Sequence, residues 1–101
     1  MDKFGLKQDI IDLIINVFRN EPKIKKVIIF GSRAQGTHKH SSDIDFAIYG
    51  TNIDFSVIRH IYAELDELPT PYTFDVLAYD AIENKKLREN IDNLGRIFYE
   101  K

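Results

Sequence analysis

The 101-residue chain has no cysteine and no tryptophan, one methionine, three prolines and five glycines. Without cysteine there are no disulfides, no thiolate zinc sites and no thiol nucleophile, so any chemistry must use oxygen and nitrogen, as suits a reducing cytoplasm. No apolar run approaches the ~20 residues needed to span a bilayer, and Met1-Asp2-Lys3-Phe4-Gly5 lacks the basic and apolar regions of a secretory signal, so a cytoplasmic protein without a membrane partner is expected. Charge of one sign is also missing. Fourteen Lys and Arg stand against 16 Asp and Glu, a net charge of −2, which leaves no bulk basic footprint for strong nucleic-acid binding. Low complexity, linkers and internal repeats are absent as well. The chain does have 44% hydrophobic residues, with seven Phe and five Tyr. That is enough for one core, and residues 1–101 are expected to form one domain.

Leu6, Ile10, Leu13, Ile14, Val17 and Phe18 recur at helical spacing and predict a first helix, ended by Pro22. Val27-Ile28-Ile29-Phe30 is a short, wholly apolar run that predicts a strand buried on both faces. Residues 31–42 carry almost no large apolar side chain and predict a loop with one helical turn after Ser32. Asp43-Ile44-Asp45-Phe46-Ala47-Ile48-Tyr49 alternates as a strand does, and Thr73 to Tyr79 predicts another. Between them Phe55, Ile58, Ile61, Tyr62, Leu65 and Leu68 form a second helical stripe, with Thr51, Asn52 and Asp54 as candidate caps. Asp80 and Glu83 fit a capping box for a last helix carrying Ile82, Leu87, Ile91 and Leu94, with Gly95 at its end and Arg96 to Tyr99 as an edge strand. The expected fold class is α/β in the α+β sense: a mixed central sheet of three to four strands flanked by helices.

Asp43 and Asp45 project from one strand face, and Asp75 adds a third carboxylate from the middle of another strand, where Asp is disfavoured. Such anions repel unless the face is solvated, a proton is shared or a divalent cation lies between them. Gly31-Ser32 directly after a strand offers backbone N–H groups and a hydroxyl to phosphate oxygens. Gly-Ser followed 8 to 13 residues on by Asp-x-Asp arises by chance in about 1% of hundred-residue chains, so the combination is specific. Competing motifs fail. Gly31 to Gly36 has P-loop spacing, but Thr37-His38 stands where Lys-Ser/Thr is required. Asp43 and Asp45 do not open an EF-hand, since Phe46, Ala47 and Ile48 follow. His38, His40 and His60 are too few and too scattered to favour zinc.

Gly31-Ser32-Arg33-Ala34-Gln35-Gly36, Ser42-Asp43-Ile44-Asp45-Phe46-Ala47-Ile48 and Phe74-Asp75-Val76 together resemble the DNA polymerase β-like nucleotidyltransferase superfamily, and within it the stand-alone minimal nucleotidyltransferases. The resemblance implies that Asp43, Asp45 and Asp75 are catalytic and bind metal, two Mg²⁺ ions or Mn²⁺, and that Asp75 helps deprotonate the acceptor hydroxyl. It implies that Gly31 and Ser32 hold the triphosphate of ATP or another nucleoside triphosphate, with Arg33 as a further phosphate contact. Gln35 departs from the basic residue that many relatives carry. The implied partner is a HEPN-domain toxin. Adenylylation of its tyrosine would make this chain an antitoxin, and a homo- or hetero-oligomer is compatible. Two alternatives stay open: a two-component transferase with a small-molecule acceptor, and an inactive antitoxin that blocks its partner by binding.

Overall fold

A computed structural model describes residues 3–101. The first helix, α1 (Gln8–Arg19), buries Ile11, Ile14, Val17 and Phe18. Its apolar residues cover more than half its circumference, so spacing alone does not choose the inward direction; Ile11 turns in and Leu13 turns out. Strand β1 (Ile24–Phe30) is followed by the single turn α2 (Ser32–Gln35), strand β2 (Ile44–Gly50) and helix α3 (Phe55–Asp66). Asp54 caps α3, its side chain accepting from Val57 N at 3.0 Å. Phe55, expected in the core, is 74% exposed because it opens the first turn of α3, beyond the inward line of Val57, Ile61 and Leu65; Tyr62 is exposed too.

After β3 (Phe74–Ala78) the chain makes a 3-10 turn, Tyr79–Ala81, then α4 (Lys85–Leu94) and β4 (Arg96–Glu100). The expected capping box at Asp80 does not form. Asp80 lies in the 3-10 turn, Ile82 is extended, and Asn84 caps α4 by accepting from Leu87 N at 3.0 Å. Leu94 consequently falls at the exposed end of α4.

The sheet order is β3-β2-β1-β4, with β1 antiparallel to both neighbours and β2 parallel to β3. The wholly apolar β1 is therefore interior, as two-sided burial requires: Val27 and Ile29 enter the main core, and Ile28 and Phe30 a smaller one. The main core joins α1 and α3 to the sheet around Phe18, Phe46 and Phe98, with ring centroids 5.1 Å (Phe18 to Phe46) and 4.9 Å (Phe46 to Phe98) apart. On the opposite face Ile82 and Ile91 cover Ile28, Phe30 and Ala47. Among the described residues no helix is long and apolar enough to cross a membrane.

Candidate active site

Strand direction gathers the polar residues. Because β1 and β2 are antiparallel and β2 and β3 parallel, the end of β1 and the starts of β2 and β3 share one edge of the sheet. Phe30 pairs with Asp45, and Asp45 pairs with Asp75. Gly31 and Ser32 follow Phe30 directly.

Within β2, Ile44, Phe46 and Ile48 enter the main core, and within β3 so do Phe74 and Val76. Alternation then sends Asp45 and Asp75 to the opposite face, on adjacent strands about 4.8 Å apart. Asp75 is exposed and Asp45 half-buried. Burial, then the charges of Asp75 and Asp43, pushes the Asp45 carboxyl up to about 6.

Asp43 lies just before β2 and is exposed. Thr73, one residue before β3, donates its hydroxyl to Asp43 Oδ1, and Ile44 N donates to Thr73 O at 3.0 Å. Sequence reasoning missed Thr73. Its signal is the parallel register, which lays Thr73-Phe74-Asp75 beside Asp43-Ile44-Asp45. A cavity of about 260 Å³ opens next to this contact, lined by His40, Ser41, Ser42, Pro71, Tyr72 and Thr73.

Gly31 has φ 77° and ψ −156°, a region open essentially to glycine alone. A Cβ there would collide with Asp45 Oδ2. The glycine thus makes room for the carboxylate as well as for the turn.

Arg33, expected as a phosphate contact, is turned into the protein. It is 2% exposed, and its guanidinium donates to the carbonyls of Phe4, His40 and Ser42 while lying over the Tyr72 ring, 5.0 Å from the centroid. Few N–H groups are left for a ligand. Tyr79 also has a packing role: it stacks on Tyr49 at 4.4 Å and donates its hydroxyl to Asp92 at 2.6 Å. His60 pairs with Glu64 on α3 at 3.3 Å.

The donor set fits a hard divalent cation, being all carboxylate and holding one acid whose charge is disfavoured until a cation is near. As it stands, no group of three His, Asp or Glu among the described residues is drawn close enough to hold an ion. Asp43 is held toward Thr73, and among the described residues no cationic side chain pairs with Asp43, Asp45 or Asp75. Because a proton competes for Asp45, Mn²⁺ affinity should rise about tenfold from about pH 5 to pH 7. Calorimetric titration at several pH values checks this, and Asp45→Asn should flatten the profile.

A short mixed sheet with a Gly-Ser turn at the end of one strand and paired carboxylates at the start of the next defines a nucleotidyltransferase catalytic domain. The chain belongs to the family described as polymerase beta, nucleotidyltransferase, whose pattern matches residues 12–101. It is similar to the provisionally named protein adenylyltransferase MJ0604 of Methanocaldococcus jannaschii, 31% identical over 81 residues that span 76% of this chain and 80% of that protein. Its fold is similar to a chain of a toxin-antitoxin complex solved with AMP-PNP, with TM-score 0.75 and 22% identity over 90% of this chain and 73% of that one. It also resembles a chain of the Shewanella oneidensis complex of tri-AMPylated HEPN toxin with MNT antitoxin, with TM-score 0.69 and 20% identity over 93% of this chain and 72% of that one.

Proposed function

We propose that this nucleotidyltransferase moves AMP from ATP to a hydroxyl, most plainly a tyrosine of a partner HEPN-domain protein, and that the transfer makes it an antitoxin. The observation that carries the chemistry is the registered pair Asp45 and Asp75, with Asp43 just before the strand that holds Asp45. The protein adenylyltransferase name of the Methanocaldococcus relative and the tri-AMPylated toxin of the Shewanella complex support a protein acceptor and a HEPN partner.

Asp43, Asp45 and Asp75 would hold Mg²⁺, which when bound neutralises phosphate charge and stabilises the attacking and leaving oxygens. Gly31 and Ser32 bring backbone and hydroxyl donors to the triphosphate. The acceptor oxygen forms a bond to the α-phosphorus as the bond from that phosphorus to the bridging oxygen breaks, and pyrophosphate leaves. The acceptor's proton passes to Asp75, which is exposed. The protein supplies position and charge, the main contributions to phosphoryl transfer.

The test is the intact mass of purified partner after incubation with this protein, ATP and Mg²⁺. One or more AMP additions are expected with the parent. None are expected with Asp43→Asn and Asp45→Asn combined, which should still bind the partner yet fail to protect cells expressing it. Full protection by that double variant would overturn modification and leave blocking by binding as the function.

A further inference from the structure

Arg33 is a buried cation, and among the described residues no acidic side chain lies within ion-pair distance of it. Such burial is tolerated only when the N–H groups are satisfied. Backbone carbonyls do this here. Nε and Nη2 both donate to Ser42 O, at 3.2 and 3.0 Å; Nη2 reaches His40 O at 3.4 Å; Nη1 donates to Phe4 O at 3.0 Å.

The oxygen that accepts twice belongs to the Ser42–Asp43 peptide unit. That unit is planar, so fixing the Ser42 carbonyl fixes the plane from which Asp43 departs. The turn before it is closed by Ser42 N donating to Lys39 O at 3.0 Å and Lys39 N donating to Ser42 Oγ at 2.8 Å. On its other side Asp43 is held by Thr73, through the side chain and through the Ile44 amide. An exposed residue outside any regular element would otherwise sample many backbone and side-chain states. Between the fork from α2 and the start of β3 it has few.

We propose that Arg33 is a positioning residue for nucleotidyl transfer: its guanidinium, locked on the carbonyls of Phe4, His40 and Ser42, sets the backbone from which Asp43 presents its carboxylate to a divalent cation. The proposal rests on the reading of Asp43 as a metal ligand. It gives the arginine of the Gly-Ser-Arg turn a task inside the protein rather than on the substrate. Lysine cannot replace it, since a compact ammonium does not span three carbonyls as a planar fork does.

Arg33→Lys is the test, read by Mn²⁺ affinity, by amide exchange in the metal-free protein and by steady-state kinetics. The variant should bind Mn²⁺ about tenfold or more weakly, the loss typical when the support of a metal ligand is removed. The amides of Ser42, Asp43 and Ile44 should exchange faster without metal, and kcat should fall while KM for ATP stays near the parent's. In an Asp43→Asn background the same change should cost no further Mn²⁺ affinity, because its effect passes through Asp43. If Arg33→Lys does not melt cooperatively, Arg33→Gln, which keeps two donors and no charge, is read in the same assays.

Parental Mn²⁺ affinity in Arg33→Lys, alongside its loss in Asp43→Asn, would overturn the proposal and leave the metal reading intact. Equal Mn²⁺ binding by the parent and by Asp43→Asn would overturn the metal reading first. Raised KM for ATP with unchanged Mn²⁺ binding would make Arg33 a phosphate contact and overturn the positioning role.

Discussion

Asp45→Asn should lower the rate of nucleotidyl transfer by about 10³-fold or more and raise the melting temperature of the metal-free protein at neutral pH. The two effects share one origin. Asparagine has the shape of aspartate but lacks the charge that, on the proposed reading, would neutralise a cation beside Asp43 and Asp75. The stability effect follows from the titration. In the folded chain the Asp45 carboxyl sits at about 6 against an ordinary 3.8, because burial and then Asp75 and Asp43 oppose its charge. The folded state therefore holds this proton more tightly than the unfolded chain, and native stability falls as pH rises through that window and is level above it. Asparagine never charges. The variant should thus gain at neutral pH by of order 1 kcal/mol once solvent screening is allowed for, or about 4–8 °C, and match the parent near pH 4. Calorimetry at the two pH values and a radiolabelled transfer assay check both halves. A variant less stable than the parent at both pH values would mean that Asp45 contributes favourable contacts rather than stored repulsion.

Gly31→Ala should also abolish transfer, and here stability should fall as well, by about 1–3 kcal/mol, because φ 77° with ψ −156° is open essentially to glycine alone. The steric part is local. A new Cβ at Gly31 meets Asp45 Oδ2 first, while Asp45 Cγ at 3.4 Å and Cβ at 3.8 Å are in ordinary contact. The carboxylate must therefore swing away, so activity should suffer out of proportion to folding. Gly36 is the internal control. It also has positive φ, 76°, yet a Cβ there meets nothing within 4 Å, so Gly36→Ala should cost about 1 kcal/mol from backbone strain and spare transfer. Chemical denaturation with parallel activity assays separates the two glycines. Equal activity in both variants would mean that room for Asp45 is not what Gly31 provides.

Much of this was legible in the sequence because period and composition speak for strands. Val27 to Phe30, bounded by charges and Gly31, reads as a strand covered on both faces, and the alternation around Asp45 and Asp75 already sent their carboxylates away from the apolar side chains. The parallel register was not legible, since no local pattern states which residue of β3 lies beside Asp45, and Thr73 was missed with it. Arg33 shows the same limit differently. Its partners are carbonyls 7 and 9 residues ahead and 29 behind, so the Gly-Ser-Arg turn cannot by itself say whether the guanidinium faces a ligand or the chain. Helix faces failed where apolar residues were abundant, as at Leu13 and Phe55. The start of α4 failed where two capping residues competed and the extended backbone at Ile82 favoured Asn84.

The parallel alignment of β2 with β3 makes the crossover between them an alignment gauge. All of α3 lies in that interval, seated by Val57, Ile61 and Leu65. Strand side chains repeat every two residues, so a slip of one position would bring Phe74 or Val76 to the place of Asp75 and carry the carboxylate into the main core. Val57, Ile61 and Leu65 share the main core with Phe74 and Val76, so the seating of α3 bears on which side chain of β3 stands beside Asp45. Packing beneath α3 belongs to the geometry of the candidate site as much as the acids do.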